Sequence, residues 1–229
     1  MGLKNKMSLL SLLSVIGLTT VKAQDWAELN RFKEANKELP APTEGEPRIV
    51  FMGNSITIGW LNLRPEFFAD KPYVNRGISG QTTPQMLVRF RQDVIDLQPE
   101  VVVLLAGTND IAGNTGPSTL EMIMDNIKGM AEMAHANGIK VILSSTLPAY
   151  DYPWKPGMNP SGKIIELNKM IKAYAEDMGH IYLDYFSAMV DERNGLPKKY
   201  AEDEVHPTVA GYKVMEPLVE AAIAKALNP

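Results

Sequence analysis

Arg48-Ile49-Val50-Phe51-Met52-Gly53-Asn54-Ser55-Ile56-Thr57 is an apolar run that ends on glycine and gives way to a polar Asn-Ser pair. Four consecutive apolar residues without alternation read as a strand covered on both faces. Gly53 then frees the backbone to turn, and Ser55 falls where a following helix would begin. The same pattern recurs along the chain. Apolar runs appear at residues 73–75, 101–106, 141–145 and 181–184, with helical spacing over 83–97, 120–137, 161–178 and 209–227. Strands alternating with helices of ten or more residues predict βαβ units and a parallel sheet. The expected fold is therefore α/β, a three-layer α/β/α sandwich with about five parallel strands in one domain over residues 24–229. A further helical pattern over 27–39, broken by Pro40-Ala41-Pro42, predicts an N-terminal helix packed across that domain.

Residues 1–23 stand apart. Lys4 and Lys6 form a basic start, Met7 to Val21 is apolar, and Val21-Lys22-Ala23 places small residues where a signal peptidase reads them. The run is short of the roughly 20 residues of a membrane span and is diluted by Ser, Gly and Thr. It predicts a cleaved signal peptide, export to the periplasm or beyond, and no stable membrane anchor. Losing Lys4, Lys6 and Lys22 would take the net charge from −4 to −7. An acidic chain without Lys/Arg clusters is unsuited to nucleic acid or anionic lipid. The absence of cysteine fits a bacterial exported protein whose core needs no disulfide, and excludes a lipid-modified cysteine.

In an open parallel sheet the site lies beyond the carboxyl ends of the strands. Ser55 follows the first strand, Gly77 and Gly80 the second, and Asn109 the third, while His206 follows the fifth after a long loop. A hydroxyl nucleophile needs a base, the base an orienting carboxylate, and the oxyanion preorganised donors. Each part also has a plainer reading. Ser55 or Asn54 could cap a helix, Gly80 could serve a turn, and Asn109 could form an Asx turn. As a donor, the Asn109 carboxamide would be worth roughly 3 kcal/mol. Asp110 reads as structural. Of the three histidines, His135 lies within a helical pattern and His180 at the wrong end of a strand, leaving His206 as base. Asp203, three residues earlier, can fold back onto Nδ1. Glu202, Asp203, Glu204 and His206 could instead hold a hard cation, but no second histidine is near, so no metal is expected. The phosphate loop, the dinucleotide fingerprint and the G-x-S-x-G elbow are missing.

Taken in order, Gly53-Asn54-Ser55-Ile56-Thr57, Gly77-Ile78-Ser79-Gly80, Gly107-Thr108-Asn109-Asp110 and Asp203-Glu204-Val205-His206 resemble the four sequence blocks of the SGNH hydrolases, also called GDSL esterases/lipases. The resemblance implies a flavodoxin-like fold, no cofactor, and hydrolysis of esters or thioesters. It implies a catalytic triad of Ser55, Asp203 and His206, with Ser55, Gly80 and Asn109 as oxyanion donors. Asn54 departs from the family pattern, which has Asp there.

The substrate is less legible. No insertion is large enough for a lid, which favours a short acyl chain such as acetyl. The loop 148–160 should flank the site, and its Tyr150, Tyr152 and Trp154 could stack on a sugar. The expected reaction is hydrolysis of short-chain, O-acetyl esters on carbohydrates. A lysophospholipase or thioesterase is the alternative, and a non-catalytic carbohydrate-binding protein the alternative of a different class.

Overall fold

The computed structural model describes residues 25–228, so the expected signal peptide lies outside the described residues. Five parallel strands form one sheet: β1 (Ile49–Gly53), β2 (Tyr73–Gly77), β3 (Val101–Leu105), β4 (Lys140–Ser144) and β5 (Ile181–Leu183), in the order β2-β1-β3-β4-β5. Ile49 is in register with Tyr73 on one side and Val101 on the other. The order reverses at β1, and the ends of β1 and β3 meet at the switch point where α/β sheets bind ligands.

Nine helices flank the sheet among the described residues. They are α1 (Lys33–Glu38), α2 (Ser55–Leu63), α3 (Pro65–Phe68), α4 (Thr83–Asp93), α5 (Thr108–Ile111), α6 (Leu120–Ala136), α7 (Ser161–Asp177), α8 (Tyr185–Met189) and α9 (Val209–Leu227). Side chains alternate along each buried strand, so Val50, Met52, Val102 and Leu104 pack with residues of α4, α6 and α7. Ile49, Phe51, Val101 and Val103 pack on the other face with α2, α3, α8 and α9. This is the predicted three-layer sandwich. Its helices start where the sequence supplies caps: Thr82 and Gln85 form a capping box on α4, and Thr119 Oγ1 accepts from Met122 N at α6.

The N-terminal helix is shorter than its pattern predicts, covering Lys33–Glu38 rather than 27–39. The preceding carbonyls are used elsewhere. Gln81, Gln85 and Gln92 donate from their side chains to the carbonyls of Ala27, Trp26 and Leu29. Asp25 accepts from the backbone of Leu29 and Asn30, and Glu28 sits at φ 54. Side chains of the α4 region thus claim the groups that a longer helix would need.

Candidate active site

Ser55 is the first residue of α2, and Asn54 is its cap: Asn54 Oδ1 accepts from Ile56 N at 3.0 Å. The plainer reading of Ser55 as the cap is therefore overturned. A carboxamide oxygen performs this capping as well as a carboxylate would, so the departure from Asp leaves the turn intact. Gly53 serves space rather than backbone freedom. A Cβ there would lie 2.0 Å from Thr57 Oγ1 and 2.9 Å from the Leu105 carbonyl oxygen.

Ser55 Oγ lies 2.9 Å from His206 Nε2, and His206 Nδ1 lies 2.6 Å from Asp203 Oδ2. With the proton on Nδ1 and donated to Asp203, Nε2 accepts from the serine hydroxyl. Asp203 Oδ1 also accepts from the backbone N–H of Val205 at 3.0 Å and of His206 at 2.7 Å. Burial alone would raise the Asp203 carboxyl, but the hydrogen bonds from His206 and Val205 outweigh it and hold the group below its usual value. The loop that carries this pair is tied by Arg193, which bridges Asp191 and Glu204.

Ser55 and His206 open onto a cleft of about 310 Å³ lined also by Ser79, Gly80, Asn109, Asn114 and Trp154. Gly80 has φ 76, and a Cβ there would meet nothing within 4 Å, so its backbone faces open space. The N–H groups of Ser55 and Gly80 make no hydrogen bond among the described residues. Asn109 is buried, and its Nδ2 donates one proton to the Gln81 carbonyl at 2.9 Å, leaving the second free. A hydroxyl hydrogen-bonded to an imidazole can attack a carbonyl carbon, and N–H donors on the same cleft can stabilise the oxyanion that results.

The three loop aromatics separate. Trp154 lines the cleft, 5.9 Å from His206 between ring centroids. Tyr152 is fully buried beneath it, stacked at 5.0 Å, with its hydroxyl against Thr108 Oγ1 and the Thr108 carbonyl. It cannot touch a substrate; it supports the tryptophan. Tyr150 lies outside the cleft, against Gly195 and under the Arg193 guanidinium at 5.0 Å. Of the three expected contacts, only Trp154 reaches the site.

Several contributors escape the sequence reading. Arg89, fully buried, donates to Gln81 Oε1, Asp93 Oδ2 and the carbonyls of Gly53 and Arg76. One guanidinium therefore ties together the ends of β1 and β2 and the segment after Gly80. Asn114 donates to the Gly80 carbonyl at 3.2 Å. Asp110, read as structural, accepts from Thr83 N and Thr83 Oγ1 across the switch point, and burial raises its carboxyl to about 6. A larger cavity, about 730 Å³, opens at the opposite sheet edge and holds His135 and His180, but no hydroxyl lines it. No cluster of three metal-ligating side chains occurs among the described residues, and none of their helices is long and apolar enough to cross a membrane.

A sequence model of the GDSL-like Lipase/Acylhydrolase family matches residues 51–214. A solved structure from Bacteroides fragilis NCTC 9343 superposes with a TM-score of 0.88 at 50% identity, covering 90% of this chain and 100% of that one. A GDSL-like lipase from Bacteroides thetaiotaomicron superposes at 0.85 and 47% identity, covering 87% and 98%. Among curated proteins, an acetylxylan esterase from Xylanibacter ruminicola is 27% identical over 224 residues, 82% of this chain. The chain spans 45% of that relative's length.

Proposed function

The chain belongs to the GDSL-like lipase/acylhydrolase family, and from that premise we propose that it is a carboxylic ester hydrolase that removes short acyl groups, acetyl foremost, from carbohydrates through an acyl-enzyme on Ser55. The observation that carries the reading is the continuous relay from Ser55 Oγ through His206 to Asp203, at 2.9 and 2.6 Å, on a cleft with three free N–H donors.

His206 Nε2 takes the Ser55 proton as Oγ attacks the ester carbonyl carbon. The carbonyl oxygen becomes an oxyanion held by the N–H groups of Ser55 and Gly80 and by Asn109 Nδ2. Asp203 stabilises the imidazolium. Collapse breaks the bond to the alcohol oxygen, which receives the proton from Nε2 and leaves. Water, deprotonated by the same nitrogen, attacks the acyl-serine; the acid departs and Ser55 regains its proton.

The acetyl assignment is supported by the small size of the cleft. Trp154 beside His206 offers a flat apolar face to a sugar ring. The acetylxylan esterase relative points the same way. The N-terminal residues 1–23 support export.

A fluorophosphonate probe should label the protein at Ser55, and Ser55→Ala should abolish both labelling and esterase activity. Across 4-nitrophenyl esters, kcat/KM should be highest for acetate and fall steeply beyond butyrate. A pocket built for long chains would instead gain about 0.8 kcal/mol per buried CH₂. A preference for octanoate or longer would replace the acetyl reading by a lipid-ester one, and retained activity in Ser55→Ala would remove the nucleophile assignment.

A further inference from the structure

Beside the catalytic cleft runs a second cavity of about 620 Å³, lined by Leu63, Glu202, Asp203, His206, Pro207, Thr208, Val209 and Ala210. It shares His206 with the cleft and none of the oxyanion donors. From this juxtaposition we propose that the groove between the end of α2 and the start of α9 is a leaving-group subsite. It would take the part of the alcohol that extends beyond the scissile ester, and it would select neutral polyhydroxy alcohols against anionic ones. The inference rests on the carbohydrate-esterase reading above and names where that substrate's chain lies.

The chemistry fixes the direction. The carbonyl oxygen must point at Gly80 and Asn109, and the alcohol oxygen must face His206 Nε2, which protonates it. The second cavity shares His206 with the cleft and none of the oxyanion donors, so it is the space into which the alcohol side of the substrate would continue. Leu63 stands two turns along α2 from Ser55, about 12 Å at 1.5 Å per residue, so the groove is long enough for a chain that continues past the ester. Arg64, paired with Glu216 at 2.7 Å, lies just past Leu63 on the α2 side.

The lining matches a pyranose. Leu63 and Val209 are 49% and 40% exposed, and with Pro207 and Ala210 they line the groove with apolar side chains. Thr208 and Glu202 stand at its side for ring hydroxyls. Charge then discriminates. The lining holds two carboxylates, Glu202 and Asp203, and no lysine or arginine. Glu202 makes no ion pair among the described residues. Asp203 is engaged by His206, so a uronate or phosphate on the alcohol would meet the unpaired charge of Glu202, whereas a neutral sugar would not.

The test compares wild-type enzyme, Leu63→Lys, Val209→Lys and Glu202→Lys on three substrates: 4-nitrophenyl acetate, acetylated xylotetraose and acetylated tetragalacturonate. Leu63 and Val209 are exposed, so folding should be preserved, checked by thermal melting. Each apolar-to-lysine variant should lose at least tenfold more kcat/KM on acetylated xylotetraose than on 4-nitrophenyl acetate, whose alcohol is too short to fill the groove. Glu202→Lys should raise the ratio of galacturonate to xylose substrate about fivefold in low salt, and the gain should shrink as salt is added. Equal losses on both acetate substrates, or no loss on either, with an unchanged charge ratio in Glu202→Lys, would overturn the subsite. Wild-type enzyme that turns over 4-nitrophenyl acetate but neither oligosaccharide would instead overturn the carbohydrate reading, and the subsite with it.

Discussion

Replacing Asn109 by alanine should separate two roles that one carboxamide plays. Its Nδ2 spends one proton on the Gln81 carbonyl at 2.9 Å, and in the proposed mechanism the other goes to the substrate oxyanion. Losing a single oxyanion donor costs about 3 kcal/mol, which at about 1.36 kcal/mol per decade is a fall in kcat of about 150-fold. The ground-state carbonyl carries little charge, so KM should change by less than about threefold. The other proton matters for stability. Gln81 is buried, and its orphaned carbonyl should cost about 1–3 kcal/mol, or a Tm lower by about 5 °C in a domain of this size. Steady-state kinetics on 4-nitrophenyl acetate, read beside thermal melts, checks both. A kcat loss below tenfold, or one carried by KM, would refute the assignment of Asn109 to the transition state.

Asp203→Asn should stay folded yet lose about 10³- to 10⁴-fold in kcat at neutral pH, because a carboxamide cannot hold the Nδ1 tautomer or stabilise imidazolium; near-full activity would mean that the carboxylate partner lies elsewhere. Arg89→Met should lower stability by about 3–5 kcal/mol in urea titration, since it leaves buried Asp93 and two strand-end carbonyls without their cation; a loss under 1 kcal/mol would deny the clamp. Asp110, whose carboxyl burial raises from 3.8 to about 6, binds its proton more tightly when folded. Its protonated form therefore contributes stability that is fully present below pH 3.8 and is lost as pH rises through about 6, on the order of 3 kcal/mol. Wild type should lose stability relative to Asp110→Asn over that window, and a flat or rising difference in urea midpoints would show that the hydrogen bonds from Thr83, not burial, set the carboxyl's behaviour.

What was legible in the sequence follows from how local each constraint is. The strands and long helices were readable because uninterrupted apolar runs and 3.6-residue spacing are written residue by residue, and α9 spans Val209–Leu227 as its pattern predicts. Ser55, Gly80, Asn109 and His206 were readable because a parallel sheet brings the residues after its strands to one edge. The N-terminal helix was misjudged because its competitors, Gln81, Gln85 and Gln92, lie more than 50 residues away in sequence. Tyr150, Tyr152 and Trp154 look alike in sequence. Burial sorts them, and burial depends on Thr108 offering Tyr152 a partner under the loop.

Arg89 and Asp93 are the sharper case. At i and i+4 on a helix they read as a surface ion pair worth a few tenths of a kcal/mol, yet both are fully buried. The signal was present in their phase, since Arg89 and Asp93 share the inward face with Met86 and Phe90. What the phase could not show is that the guanidinium reaches the carbonyls of Gly53 and Arg76 and, through Gln81, the segment whose main-chain oxygen holds Asn109. The proposed oxyanion donors are thus fastened to a buried ion pair in the core rather than to the loops that carry them. That arrangement links the strand ends, the Gly80 turn and the Asn109 carboxamide through one guanidinium, which favours preorganised donors.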